Sequence, residues 1–365
     1  MFNGTFKGKK VWLSGHTGFK GAWLAEWLLA LGAEVHGFAL PPPTDPSLFV
    51  QLSLDTRLRH EVGDVRDAGA VRASILDARP DFVFLLAAQS LVRFSYQEPI
   101  ATYATNVMGT VHVLDALRVL EWPCAAVIVT TDKCYENRDW VHGYREEDPM
   151  GGFDPYSSSK GMAELAISAY RRSFFAGHPV KIASARAGNV VGGGDWAQDR
   201  IVPDCLRALQ RGEPIAVRNP EATRPWQHVL EPLSGYLLLA ARLAQADNPA
   251  RLLGAFNFGP THEANGSVRG LVAEILKHFP GSWLDQSDPQ ALHEATRLQL
   301  ATDKAHALLG WSPVWSFPIA IRETVRWYRA SAQAASSQEI QALTRGQIDA
   351  YAARVASREN DQFLA

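Results

Sequence analysis

Tyr156 and Lys160 stand four residues apart in the run Tyr156-Ser157-Ser158-Ser159-Lys160. On a helix that spacing sets them on one face, one turn from each other. An ammonium held beside a phenol favours the phenolate and lowers its pKa. The pair would then act as a general base near neutral pH, taking a proton from a sugar hydroxyl as hydride leaves. Alone, such a pair is common on helices. It gains weight from Gly15-His16-Thr17-Gly18-Phe19-Lys20-Gly21, three glycines that follow a strand pattern and open a helical one. Glycines in that context permit a tight turn and the close approach of a pyrophosphate to the helix N-terminus. Together the two motifs point to nicotinamide chemistry.

These residues need a scaffold. Residues 11–14 read as an apolar strand, and the helix after the glycines runs through Trp23, Trp27 and Leu31 to a stop at Gly32. Strand patterns recur at 34–40, 61–65, 82–88, 125–130 and 182–185, with helical patterns between them, including 103–120. The nearly continuous apolar run at 82–88 suits a strand buried on both faces. This alternation predicts an α/β fold, a Rossmann-type doubly wound parallel sheet with helices on both sides. Beyond Arg186 the pattern loosens into loops and helices at 201–211, 233–246, 267–279 and 318–330. The expected organisation is a Rossmann domain over 1–186, a smaller, mostly helical substrate lobe over 187–335, and a C-terminal surface helix and fraying tail over 336–365. Elements of the second lobe are free to return to the first. Ligands belong in the crevice at the carboxyl ends of the strands.

Composition narrows the function classes. The chain of 365 residues is 47% hydrophobic and 20% charged, as soluble globular proteins are. Its 36 basic and 38 acidic residues leave no basic excess for nucleic acid or for a membrane surface. No apolar run is long enough to span a bilayer, and the basic start lacks the apolar stretch of a signal peptide. Cys124, Cys134 and Cys205 are too few and scattered for a disulfide framework, and no cluster suggests a metal. A cytoplasmic enzyme is expected.

The cofactor reading has one gap. A carboxylate at the end of the second strand ordinarily holds the adenosine ribose hydroxyls. Here the strand ends His36-Gly37-Phe38-Ala39-Leu40-Pro41, with neither a carboxylate nor an arginine for a 2′-phosphate. Asp45, on the loop beyond, is a late candidate. Asp64 and Val65 are candidates for the adenine, and Asp64 reads equally well as a turn or cap residue. Lys20 is either a solvated helix charge or a ligand of a cofactor phosphate, with the phosphate preferred.

Four further stretches complete the pattern: Ala87-Ala88-Gln89, Tyr103-Ala104-Thr105-Asn106-Val107-Met108-Gly109-Thr110, Thr130-Thr131-Asp132-Lys133-Cys134-Tyr135 and Arg224-Pro225-Trp226-Gln227-His228. With these the chain resembles the extended short-chain dehydrogenase/reductases, and among them the nucleotide-sugar 4,6-dehydratases, over roughly residues 7–329. The Thr-Asp-Lys triplet and the Phe-Lys of the glycine turn are the most specific elements, and they are similar to the group acting on CDP-D-glucose. Two departures stand out. Ser90 takes the place of an expected proline, with little effect expected. Lys133 takes the place of the glutamate that dTDP-glucose dehydratases use on C5.

The resemblance implies NAD rather than NADP, CDP-D-glucose as substrate, and a homodimer or homotetramer. It implies that Tyr156, with Lys160, takes the C4 hydroxyl proton while Thr131 bonds the C4 oxygen. Lys133 then takes the C5 proton, and a protonated Asp132 gives one to the departing O6 hydroxyl. Cofactor contacts would come from Gly15, Thr17, Gly18, Phe19, Lys20, Gly21, Asp64, Val65, Ala87, Ala88, Gln89, Asn106, Tyr156 and Lys160. Asn106 would support the lysine, unless it is an ordinary mid-helix polar residue. Arg93, Asn189, Arg200, Arg218 and Arg224 are the substrate candidates, because arginine suits bidentate phosphate recognition. Arg186 belongs by the same logic among the arginines, two or three of which would hold the diphosphate. His228 and Cys134 read as structural. The competing readings are an epimerase or a dehydratase for another nucleotide sugar, and a non-catalytic dinucleotide sensor. An epimerase needs no acid aimed at O6, and a sensor would not need Tyr156, Lys160 and Thr131 together.

Overall fold

The computed structural model describes residues 2–261, 264–287 and 298–363. Seven parallel strands make the central sheet: β1 (Lys10–Ser14), β2 (Glu34–Ala39), β3 (Arg59–Val62), β4 (Phe82–Leu85), β5 (Cys124–Val129), β6 (Val180–Ala187) and β7 (Ala255–Phe258). Their order is β7-β6-β5-β4-β1-β2-β3. The direction of winding changes at β1, between β2 and β4, and that change opens a crevice at the strand ends. The expected doubly wound sheet is present.

Alternation along β1 shows how the sheet is covered. Val11 and Leu13 enter one core with Trp23 and Trp27 of α1 (Phe19–Ala30). Trp12 enters the other with Val71 and Ile75 of α2 (Ala68–Ala78). All three tryptophans are buried. Full burial of one large apolar side chain contributes about 1.5–3 kcal/mol, so both faces anchor the strands that carry the site.

Several elements differ in extent from the sequence pattern. The third strand lies earlier than 61–65, because the chain turns away after Gly63, whose N–H reaches the Ala39 carbonyl. The fourth stops at Leu85 because the Ser14 hydroxyl takes the N–H groups of Leu86 and Ala87, each at 3.1 Å, in place of a strand partner. The 103–120 helix is interrupted by a π-turn, Ala104–Met108, before α3 (Gly109–Leu117). β7 arises from a stretch read as loop and completes the sheet beside β6.

α4 (Pro155–Phe174) starts where Asp154 caps the Ser157 N–H at 2.9 Å and Pro155 supplies a preset φ. The second half contributes α5 (Ile201–Gln210), α6 (Leu230–Gln245), α7 (Phe317–Ser331) and α8 (Ser337–Phe363). The C-terminal helix is more than a surface helix. Tyr351 of α8 is buried and donates to Glu231 Oε2 at 2.6 Å, and Arg345 reaches the buried Glu26 of α1 at 2.5 Å. The last two residues of the expected tail lie outside the described residues.

Candidate active site

The glycine turn closes against β4. Gly15 has φ +75°, and a Cβ there would lie 2.7 Å from the Ala87 nitrogen. A Cβ on Gly21 would lie 2.0 Å from the Gly15 carbonyl oxygen, so α1 packs directly on the turn. Gly18, the helix N-cap, carries no side-chain cap, which leaves the first-turn N–H groups of α1 for an anion. Thr17 Oγ1 ties the turn to β2 by donating to the Leu40 carbonyl at 2.9 Å. This cradle fits the pyrophosphate of a dinucleotide.

The cradle opens into a cleft of about 1760 Å³ that runs on between the two halves of the chain. Pockets for one small ligand have about 300–1,000 Å³, so this cleft has room for a dinucleotide and a second nucleotide together. Every residue proposed from the sequence for cofactor, substrate or catalysis lines it except Asn106 and Arg186. Asn106, in the π-turn, instead holds Gln89 through that residue's N–H and carbonyl at 2.9 and 3.0 Å, and donates to Ser159 Oγ at 2.9 Å. Its side chain thus locks the Ala87-Ala88-Gln89 segment to α4 and reaches the cleft only through what it holds. Asp64, two residues past β3, lines the cleft and also pairs with Arg66. Asp45 lines the same cleft on the loop after β2.

The catalytic candidates come from two elements. β5 ends at Val129, and Thr131, Asp132 and Lys133 follow in a tight turn, while Tyr156 and Lys160 come from the first turns of α4. Thr131 Oγ1 donates to Asp132 Oδ1 at 2.9 Å and stands near enough to Tyr156 to favour its phenolate. Asp132 Oδ2 is buried without a hydrogen-bond partner and lies beside Gly188, where a Cβ would come within 2.6 Å of it. The missing side chain at 188 makes room for that oxygen.

Burial sets the electrostatics. It raises the Asp132 carboxyl above the usual range, against the pull of Lys133, the Thr131 bond, Arg224 and Lys20. That favours the protonated form an acid needs. Burial lowers Lys160 to about 8 and pushes the Tyr156 phenol up to about 12, the latter opposed first by Thr131. The expected lowering of Tyr156 is therefore outweighed by desolvation in the protein's own residues. Lys20 is not a solvated charge. Its ammonium lies 3.4 Å from the Tyr236 hydroxyl and is lowered to about 8, by burial first and then by Arg200 and Lys160.

The arginines divide. Arg186 leaves the substrate set: it is buried in a pair with Glu164 at 2.8 Å and also donates to the Tyr135 hydroxyl. Arg200 donates to Asp195 at 2.9 Å and to Ser90 Oγ at 3.0 Å. Arg218 and Arg93 converge on Asp199, at 2.9 and 3.7 Å. Arg224 donates to the Thr223 carbonyl at 2.8 Å, and Asn189 lies on the wall beside Gly188. Asp195, Asp199, Ser90 and Gly188 were not singled out for these roles by the sequence, since only the folded loops bring them to the arginines and to Asp132. His228 is structural, packed edge-on against Trp23 and Trp315, and Cys134 is buried. Among the described residues no His, Cys, Asp and Glu group is arranged to hold a metal.

Comparison with known proteins follows the same geometry. The family model described as GDP-mannose 4,6 dehydratase matches residues 13–324. A CDP-glucose 4,6-dehydratase of Salmonella typhimurium is 48% identical, over 89% of this chain and 92% of that protein. A dTDP-glucose 4,6-dehydratase of Streptomyces antibioticus is 31% identical, over 73% and 75%. Among solved structures, the dTDP-glucose 4,6-dehydratase DesIV of Streptomyces venezuelae, with NAD and TYD bound, superposes with a TM-score of 0.75 at 24% identity, covering 87% of this chain and 96% of that one. A UDP-glucose 4-epimerase of Thermotoga maritima superposes with a TM-score of 0.74 at 21% identity, over 88% and 99%, so the fold alone does not separate the two activities. By the matched model and by the Salmonella relative, the chain belongs to the GDP-mannose 4,6-dehydratase family of nucleotide-sugar dehydratases.

Proposed function

We propose that the protein converts CDP-D-glucose to CDP-4-keto-6-deoxy-D-glucose and water, with NAD as a cofactor that is regenerated in each turnover. One observation carries the reading: Tyr156, Thr131, Asp132 and Lys133 meet at one place in a cleft that also contains the dinucleotide cradle. NAD, when bound, supplies a hydride acceptor for C4, a hydride donor for C6 and a positive charge beside the phenol.

The protein's residues do the rest. Lys160 and Thr131 favour the Tyr156 phenolate, which takes the C4 hydroxyl proton. The resulting ketone acidifies C5–H, and Lys133 takes that proton. Asp132, kept protonated by burial, gives its proton to the leaving O6 hydroxyl, which departs as water. An epimerase has no use for a buried carboxyl with one oxygen left without a hydrogen-bond partner, and this favours the dehydratase over the epimerase reading.

Arg93, Arg200, Arg218 and Arg224 form the cationic wall for the diphosphate, with Asn189 beside them. Asp45 stands in for the missing strand-end acid, and its negative charge disfavours a 2′-phosphate, so NAD is preferred over NADP. Ile100, Met108, Met162 and Leu165 expose apolar surface on the helices flanking the site. Such a patch marks an interface, and we assign it to a homodimer or homotetramer, which light scattering at micromolar protein tests. No helix among the described residues is long and apolar enough to cross a membrane; the expected location is the cytoplasm. Incubation with CDP-, dTDP-, GDP- and UDP-sugars tests the substrate: a 4-keto product from CDP-D-glucose first is expected, and none from it would end the reading.

A further inference from the structure

Part of the arginine wall already has an anion. Arg93 stands on the short helix Val92–Gln97 beyond β4, in the first half of the chain. Arg218 follows the strand Ile215–Val217, in the second half. Both guanidiniums reach one oxygen, Asp199 Oδ1, at 3.7 and 2.9 Å. All three residues line the cleft. One carboxylate thus joins the two walls between which a nucleotide sugar would lie.

We propose that Asp199 is a placeholder for the substrate's diphosphate: it holds Arg93 and Arg218 before substrate arrives, yields both to the phosphates, and so sets substrate affinity. A diphosphate carries a negative charge on each phosphate and can accept from two guanidiniums in bidentate fashion. Asp199 offers both arginines the same single oxygen, so the phosphates make the better partner. The two anions repel each other and compete for the same donors. Every binding event must therefore break both pairs, and that loss is subtracted from the affinity.

The neighbouring carboxylate shows the contrast. The Asp195 side chain is 6% exposed, and it accepts from the Ala197 N–H at 3.2 Å and from Arg200 at 2.9 Å. Arg200 also donates to Ser90 Oγ at 3.0 Å, a bond that a proline at 90 could not accept. This arginine is built into its place from two sides. The Asp199 side chain is 50% exposed, and those of Arg93 and Arg218 are 42% and 46% exposed. Ion pairs so open to solvent are weak and separate readily. The backbone of Asp199 has φ +58°, a left-handed conformation that asparagine and glycine adopt as readily as aspartate. Both substitutions therefore remove the charge without refolding the loop.

This inference rests on the reading that these arginines receive the diphosphate of a nucleotide sugar, and the experiment separates the two. NAD-loaded wild-type protein, Asp199→Asn and Asp199→Gly are titrated by calorimetry with CDP, inorganic pyrophosphate and cytidine. Losing two exposed ion pairs corresponds to roughly two- to thirty-fold in affinity. Both variants should bind CDP and pyrophosphate tighter by a factor in that range, with cytidine unchanged. The gain should shrink at ~0.5 M salt, where exposed charges are screened. The KM for CDP-D-glucose should fall with kcat not raised, as a change in uniform binding requires. Unchanged or weaker binding of CDP and pyrophosphate overturns the placeholder and leaves Asp199 aligning the arginines. An equal gain for cytidine also overturns it, because the effect would not pass through the phosphates. So does an equal gain from Glu136→Gln, which removes a charge from another part of the cleft lining. If the wild type binds no CDP and forms no 4-keto product, the dehydratase reading falls, and the pyrophosphate titration still decides the placeholder.

Discussion

Replacing Asp132 by asparagine should divide the reaction at its middle. The substitution keeps volume and shape. The asparagine oxygen can still accept from Thr131 Oγ1, so the contact at 2.9 Å survives and Thr131 stays in place beside Tyr156. Asp132 enters the reaction protonated, so an uncharged amide in its place does not weaken the base. Oxidation at C4 should therefore proceed. The amide that replaces Oδ2 has no proton to give to O6, and removal of a positioned acid costs a factor of ~10²–10⁴. At ~1.4 kcal/mol per decade that is about 3–5.5 kcal/mol added to the elimination barrier. A single-turnover experiment reads the consequence in the nicotinamide absorbance. Asp132→Asn should build up close to one reduced cofactor per site and release product slowly, whereas Tyr156→Phe should form no reduced cofactor at all. Product formation at the wild-type rate by Asp132→Asn would refute the assignment of Asp132 as the acid. So would failure to reduce the cofactor at all, because the loss would then lie in the first step.

Lys133→Ala should likewise accumulate reduced cofactor and should lose exchange of the C5 hydrogen with solvent, by a factor of ~10²–10⁴; normal exchange would remove Lys133 as the base. Asp45→Ala should weaken NAD binding about ten-fold or more in a fluorescence titration, the scale of one hydrogen bond to a charged group, and an unchanged affinity would leave the ribose without this partner. Burial holds His228 at about 3. The unfolded chain therefore binds more protons between about 3 and the ordinary 6.5, and the stability that neutral His228 contributes near pH 7 is lost as the pH falls through that window. His228→Phe should remove about 2 kcal/mol of the difference between urea unfolding at ~pH 7.5 and ~pH 5, and an identical pH dependence in both proteins would contradict this.

The N-terminal half of the fold was legible because its signals are local. Apolar runs and glycines define strands and helix starts within a few residues of themselves. β7 was not legible, since four residues, Ala255–Phe258, carry too short a pattern and gain their place only from pairing with β6. The end of β4 was missed for a similar reason: a serine 71 positions before Leu85 takes the N–H groups that follow it. At the site, residue identity foretold the Tyr-Lys pair and the Thr-Asp-Lys turn. It did not foretell the balance of forces on them. Spacing shows Lys160 beside Tyr156, but only the folded structure shows that desolvation dominates both. The arginines were the least readable, because in sequence an arginine looks the same whether it faces a cleft from a loop, as Arg200 does, or a buried glutamate from β6, as Arg186 does.

The central claim is that one cofactor takes hydride from C4 and returns it to C6 of the same sugar. CDP-D-glucose carrying deuterium at C4 tests it directly. The account predicts a 4-keto-6-deoxy product with the deuterium at C6, intramolecular transfer when labelled and unlabelled substrates are mixed, and no net reduced cofactor. Deuterium lost to solvent, or reduced NAD accumulating in step with product, would contradict it.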